Sequence, residues 1–300
     1  MAETIGSFQI LAELGKGAHS TIYHIRRHSD SRQFALKVVP IEDKDDAKFY
    51  EQAQLELRVG QMLDHVNLIK VHALETQRDW FFRVRKAHVL IEYVNGKTLD
   101  QLQKLSIPRL VQVFAKIAAG LMHMHRRGVC HADLKPNNIM LSRAGEIKII
   151  DYGLAWIKGE PKERVQGTPE YMAPEQSKHK TVNDRTDIYN LGATMYRLTS
   201  GQLPPSTISV PNSPGMNAKL FRNLLKPVRE FAPDAPPQLC DLIHCCLDYD
   251  PKKRPERAGD VLDELNALIG QLVQTDDDRL DTMEWYFLTS NLSFEYLSDR

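Results

Sequence analysis

The chain is poor in cysteine, with four in 300 residues, two of them adjacent at Cys245 and Cys246. That spacing suits neither a disulfide framework nor a metal knuckle, and a reducing compartment, the cytoplasm, is expected. An excess of either charge is also missing, since Lys plus Arg and Asp plus Glu are 39 each. General attraction to nucleic acid or to an anionic bilayer is thereby excluded, and any phosphate site must be built locally. No long apolar run occurs. The longest, within residues 114–124, is broken by Lys116 and falls short of the ~20 residues a bilayer span needs. The opening MAETIGSFQI has no signal-peptide core. The chain therefore reads as soluble, with no membrane span and no nucleic-acid partner, although a longer parent protein could carry an anchor beyond Arg300. One narrower absence matters later: between Asp151 and Gly167 there is no serine or threonine.

What is present is an ordinary globular composition, 42% hydrophobic and 26% charged, in a chain long enough for one large domain or two lobes. Residues 8–14 alternate as a strand, reach Gly15 and Gly17, and resume as a β-branched strand over 21–26. Residues 33–39 predict a third strand with Lys37 inside FALKVV, and 43–63 a helix carrying Phe49, Leu55, Leu57, Met62 and Glu56. Two further strands are expected at 66–75 and 88–94. Between them Trp80, Phe81, Phe82 and Val84 stand among Arg78, Arg83, Arg85 and Lys86. A hairpin packing its apolar face is expected there, with a docking surface as the alternative.

Asn95 and Gly96 break the pattern, and helices dominate afterwards: 108–126 with Pro108 in the first turn, 187–199, one near 218–225, 238–247 and 258–273. His123 and His125 have no acid or cysteine at ligand spacing, which favours core or interface histidines over a metal site. From Thr275 the tail is acidic and then aromatic, with Trp285, Phe287, Phe294 and Tyr296, too aromatic for a solvating linker. Docking on the main body or on a partner is expected of it. The fold class is α+β in two lobes: residues 1–7 an N-terminal segment, 8–94 a small β lobe with one main helix, 95–273 a helical lobe, and 274–300 the tail.

The chemistry gathers in HADLKPNN at 131–138 and DYG at 151–153. An acid, Asp133, can orient or deprotonate a hydroxyl; Lys135 is a nearby cation; Asn138 and Asp151 offer oxygens to a magnesium nucleotide. With Gly15-Lys16-Gly17, FALK ending at Lys37, and Ala173-Pro174-Glu175, these motifs in this order make the chain similar to the eukaryotic-type serine/threonine protein kinases over about residues 8–273. The ending MAPEQ resembles bacterial members of that family.

The resemblance implies a two-lobed kinase fold, ATP with Mg2+ (or Mn2+), and protein substrates bearing serine or threonine hydroxyls. It implies that Lys37, oriented by Glu56, holds the α and β phosphates. Asn138 and Asp151 would ligate the metal, Asp133 would place the substrate hydroxyl, and Lys135 would steady the γ phosphate. Gly15 and Gly17 would approach the phosphates. Leu14, Ile22, Ala35 and Met140 would enclose the adenine, Ile91 would be the gatekeeper, and the Glu92 carbonyl and Val94 amide would be the hinge groups. Asp187 would brace the catalytic loop and Arg254 would pair with Glu175.

Three positions depart from the family pattern. Ser20 replaces a glycine, Tyr152 replaces the phenylalanine of DFG, and Ala132 replaces the arginine of HRD. That arginine makes activation wait for a loop phosphate. Its absence and the lack of serine and threonine between Asp151 and Gly167 agree, and activity without mid-loop phosphorylation is expected. The alternatives are a nucleotide-binding pseudokinase, which would lack one of the catalytic groups present here, and a kinase of a small-molecule hydroxyl, which would lack GTPEYMAPE at 167–175.

Overall fold

The computed structural model describes residues 4–17, 19–43, 45–161, 166–179, 181–208 and 216–275. The tail from residue 276, expected to dock, lies outside them.

The N-terminal half is a six-stranded sheet of order β1-β2-β3-β4-β6-β5. Its strands are β1 (Thr4–Ile5), β2 (Phe8–Gly17), β3 (Ser20–Arg27), β4 (Gln33–Pro40), β5 (Val71–Arg78) and β6 (Val84–Glu92), with helix α1 (Ala47–Met62) between β4 and β5. Every pairing is antiparallel. Period-two alternation sorts β4 into two faces. Phe34 and Leu36 join Ile25 in a small outer core, while Ala35 and Lys37 point the other way. Lys37 lies opposite Ile22 on one side and Val89 on the other, and Ala35 lies opposite Ile91. Helix α1 sits close to β5, where a Cβ on Gly60 would meet Val71 Cβ at 2.6 Å.

The C-terminal half begins with β7 (Gly96–Thr98), which pairs with β9 (Ile139–Ser142); β9 also pairs with β10 (Ile147–Ile149). Gly96 is required by that approach, since a Cβ would lie 2.2 Å from the Leu141 carbonyl oxygen. Helix α2 (Ile107–Arg126) follows β7 and has Pro108 in its first turn. Strands β8 (Val129–Cys130) and β11 (Trp156–Ile157) form a two-stranded pair. Then come α3 (Pro174–His179), α4 (Asp184–Ser200), α5 (Ala218–Leu224), α6 (Pro237–Cys246) and α7 (Ala258–Thr275). As its sequence predicts, α2 is buried on several faces, with Leu110, Phe114, Ile117, Leu121 and Met124 in the main core. Helix α4 starts at a reciprocal capping box between Asn183 and Thr186 and stops at left-handed Gly201.

A backbone zipper joins the halves. Ile69 N–H donates to Ile149 O at 3.0 Å, Ile149 N–H to Asn67 O at 2.8 Å, and the Asn67 side chain to Ile147 O at 2.9 Å. That use of residues 67–69 explains why β5 starts at Val71 rather than at 66.

The hairpin of β5 and β6 corrects one expectation. The strands reach closer to the turn than predicted, β5 ending at Arg78 and β6 starting at Val84, and the aromatic residues do not pack beneath the sheet. Trp80, Phe81 and Phe82 sit at the turn with 82%, 58% and 80% of their surface exposed. A connection of residues 79–83 is too short to fold back over the face it leaves.

Candidate active site

Lys37 and Glu56 come together because β4 presents one and the buried face of α1 the other. Lys37 Nζ donates to Glu56 Oε2 at 2.8 Å and to Asp151 Oδ1 at 3.4 Å. Burial works against the ammonium, but the charges of Glu56 and Asp151 outweigh it, and Lys37 ends above the usual lysine range. In return Lys37 is the main cause that holds Asp151 below the usual carboxylate range. Asp151 has φ of 65°, an uncommon conformation for a residue other than glycine. Gly153 N–H stabilises that turn by donating to Oδ1 at 3.1 Å. The contacts of Asp151 fall on Oδ1 and its side chain is 47% exposed, so Oδ2 is the oxygen a cation can take.

The catalytic loop is shaped from beneath. Asp187 of α4 is fully buried; its Oδ2 accepts from His131 N–H and its Oδ1 from Ala132 N–H, both at 2.8 Å. His125 Nε2 lies 2.8 Å from the same carboxylate. His125, Cys130 and Asp187 thereby form a three-residue cluster, a grouping through space that the sequence did not show. Asp187 is already engaged there by backbone, and burial pushes the Cys130 thiol up. Above this brace Asp133 is held on both oxygens. Thr168 N–H and Oγ1 each donate to Oδ1 at 2.8 Å, and Lys135 Nζ donates to Oδ2 at 2.9 Å. Lys135 also donates to Thr168 Oγ1 at 2.5 Å. Asn138 Nδ2 donates to the Asp133 carbonyl at 2.8 Å, so what Asn138 can offer a cation is its oxygen.

Tyr152 is fully buried, and its hydroxyl donates to Ile69 O at 3.0 Å. That partner makes the departure from phenylalanine tolerable. Tyr152→Phe should lower stability by about 1 kcal/mol, the net worth of one such bond, with catalysis retained; a thermal melt and a transfer assay check it.

The residues expected around a nucleotide are spread over both halves. Ile22, Ala35 and Lys37 share one face by register, and Gly15 lies opposite Ile22. Nothing lies within 4 Å of the Cβ position of Gly15, which leaves room beside the strand for a bulky anion. Leu14, Ile22, Ala35, Ile91 and Met140 are apolar yet half-buried or exposed, as walls of a cleft are, whereas Gly17 is exposed and Val94 buried. The Glu92 carboxylate is already used: Lys148 Nζ lies 2.8 Å away and Lys70 N–H donates at 3.0 Å. The Glu92 N–H is used as well, donating to Lys70 O at 2.9 Å, which leaves the main-chain carbonyl for a ligand. Two cations near carboxylate and carboxamide oxygens, beside partly open apolar walls, fit a nucleotide polyphosphate with a hard divalent metal.

A family model described as the protein kinase domain matches residues 8–265. The chain belongs to the protein kinase domain family. It is 27% identical over 285 residues to a probable serine/threonine-protein kinase of Clostridium acetobutylicum, covering 92% of this chain and 42% of the relative. It is 28% identical over 272 residues to the serine/threonine-protein kinase PknA of Mycobacterium tuberculosis (88% and 61%). To the serine/threonine-protein kinase PrkC of Bacillus subtilis it is 25% identical over 267 residues (85% and 39%). The chain thus spans about two fifths to three fifths of the length of these curated relatives.

In this kinase domain the segment after DYG is tied to the catalytic loop by groups that sequence reasoning missed. Gln176, 1% exposed, donates from Nε2 to Ala132 O at 2.7 Å and to Gln166 O at 2.8 Å. Gly167, at φ 136°, makes space for it, since a Cβ would stand 2.9 Å from that nitrogen. The Ala132 methyl is sealed in an apolar cluster with Cys130, Val182 and the half-buried Trp156. The signal for that cluster was available, because Trp156 is an aromatic residue in the stretch where a cation could have accompanied a loop phosphate. Glu175 and Arg254 pair bidentately at 2.8 and 2.9 Å.

Proposed function

We propose that this kinase domain transfers the γ-phosphoryl group of ATP to serine or threonine hydroxyls of protein substrates, with Mg2+ (or Mn2+) as the metal, and that it does so without a phosphate in the middle of its activation segment. One observation carries the reading: the Lys37–Glu56 pair is closed and Asp133 is tied to Thr168 of the activation segment, while Ala132 packs in an apolar cluster with Trp156. The similarity to serine/threonine-protein kinases of Clostridium acetobutylicum, Mycobacterium tuberculosis and Bacillus subtilis supports a protein hydroxyl as acceptor.

The residues divide the work. Lys37, fixed between Glu56 and Asp151, presents its charge to the α and β phosphates. Asp151 Oδ2 and the Asn138 oxygen would hold the metal, which would supply neutralising charge to the transferring group. Asp133 accepts a hydrogen bond from the substrate hydroxyl and later its proton, and Lys135 steadies the γ phosphate. Gly15 and Gly17 lie against the phosphates; Leu14, Ile22, Ala35 and Met140 enclose the base, and the main chain at Glu92 and Val94 reads its edge.

Independence from phosphorylation follows from what fills the place of a phosphate-dependent charge. Burying a guanidinium beside Asp133 would require an anion in the loop. Here a methyl packs on Trp156, and Gln176 joins the two segments through neutral hydrogen bonds. Protein treated with phosphatase and verified by mass spectrometry should phosphorylate a generic protein substrate at an unchanged rate. Loss of activity together with a loop phosphate would overturn that part of the reading.

No helix among the described residues is long and apolar enough to cross a membrane. All four cysteines are free, in keeping with a reducing, cytoplasmic setting. Residues 8–273 act as one catalytic unit in this reading.

A further inference from the structure

The tip of the β5–β6 hairpin is built to present aromatic rings to something. Trp80, Phe81 and Phe82 are the exposed aromatics that adjoin one another among the described residues. Phe82 stands at φ 64°, where a bulky side chain is a genuine outlier and glycine or asparagine would be the easy choice. The turn is nonetheless rigidly held. Asp79 Oδ1 accepts from Phe81 N–H at 2.9 Å and from Arg83 N–H at 3.0 Å, Arg85 donates to Asp79 Oδ2 at 3.0 Å, and Arg78 donates to Phe82 O at 2.8 Å. Trp80 and Phe81 lie 3.9 Å apart between ring centroids, and the Arg83 guanidinium lies 5.7 Å from the Phe81 ring. Asp79 is consumed inside the turn, so the surface offered is aromatic and cationic, through Arg78, Arg83 and Lys86.

The chain itself carries a segment of the opposite character. Residues 276–300 open with Asp276-Asp277-Asp278 and contain Glu284-Trp285-Tyr286-Phe287-Leu288 and Phe294-Glu295-Tyr296-Leu297, each aromatic cluster with its own carboxylate. Such a composition gains by burial. Extended at ~3.3 Å per residue, 25 residues reach about 80 Å, more than the ~50 Å breadth expected of a domain of this size. Covalent tethering supplies an effective concentration near ~1 mM, so a weak contact suffices. We propose that the acidic aromatic tail docks on the Trp80–Phe82 tip of its own chain. A second copy meeting tip to tip would bring like charges together, and a membrane would have no use for the aromatic acids of the tail.

Hydrogen exchange of the full 300-residue chain, read by mass spectrometry at two protein concentrations, tests this. With a Kd near ~0.1 mM, residues 284–288 should exchange about tenfold more slowly than a free peptide, equally at both concentrations. The protection should vanish in Trp80→Ala/Phe82→Ala, and residues 79–83 should open in Trp285→Ala/Phe287→Ala. Arg83→Glu, which leaves the rings in place, should weaken it and high salt should too. The proposal is overturned if the tail exchanges at the free rate, if its protection ignores the tip substitutions, if protection grows with concentration, as a second copy would require, or if it arises only with anionic vesicles. Kinase activity is not a readout, so this outcome stands apart from that of the proposed function.

Discussion

Asp133→Asn should reduce phosphoryl transfer to a protein substrate by about 10²- to 10⁴-fold, the usual worth of a positioned proton acceptor, while nucleotide affinity stays close to that of the parent. The carboxylate has two tasks that a carboxamide cannot perform together. It accepts from Thr168 N–H and Oγ1 on one oxygen and from Lys135 on the other. In the proposed mechanism it also accepts a hydroxyl proton as the nucleophile attacks. An asparagine turned to keep one acceptor places an NH2 group against either Thr168 or Lys135, both of which donate. In the proposed reading nucleotide affinity is governed elsewhere, by Lys37, Asp151 and the apolar walls, so calorimetric titration with ATP and magnesium separates the two effects. A rate within tenfold of the parent would remove Asp133 from the chemistry, and unchanged transfer in both Asp133→Asn and Asp151→Asn would remove the proposed activity.

The same residues show what a sequence can and cannot convey. Lys37, Asp133, Asn138 and Asp151 were legible because motifs of fixed spacing specify them, and the structure brings Lys37, Glu56 and Asp151 into contact. Glu56 alone looks like helix surface; only the register that turns it inward, to 2% exposure, distinguishes it. Strand and helix positions followed from periodicity, and the errors fell where tertiary contacts override it. Residues 67–69 read as strand, yet they join the zipper to β10. Trp80 to Phe82 read as the packed apolar face of a hairpin, with a docking surface as the alternative, and a constrained turn exposes them. Gln176 gave no signal, because its role depends on two carbonyls, of Ala132 and Gln166, that only the folded chain sets side by side.

Stability should respond most strongly to Glu175→Ala. Arg254 has a side chain with no exposure, and every direction of its guanidinium is used. Nε donates to Asp248 O at 2.7 Å, one terminal nitrogen to Glu175 Oε1 and Arg185 O at 2.8 Å, and the other to Glu175 Oε2 at 2.9 Å. The Tyr189 ring lies 4.8 Å from its central carbon. Removing Glu175 leaves that cation buried without its counter-charge and also strips Thr186 Oγ1 of its acceptor. The expected loss is about 3–5 kcal/mol, which at ~2–4 °C per kcal/mol for a domain of this size lowers the melting temperature by roughly 10 °C. Glu175→Met combined with Arg254→Met should be less damaging than Glu175→Ala, because no charge is left stranded. The exposed pair of Arg58 and Glu160 offers a comparison of equal geometry, bidentate at 3.0 and 2.8 Å but 54% and 40% exposed. Breaking it should cost under ~1 kcal/mol, since water and salt already screen both groups. Thermal and denaturant unfolding of these variants measure the difference directly. If Glu175→Ala were no more harmful than Arg58→Ala, the buried pair would not be what anchors the activation segment to α4 and the loop that carries Arg254.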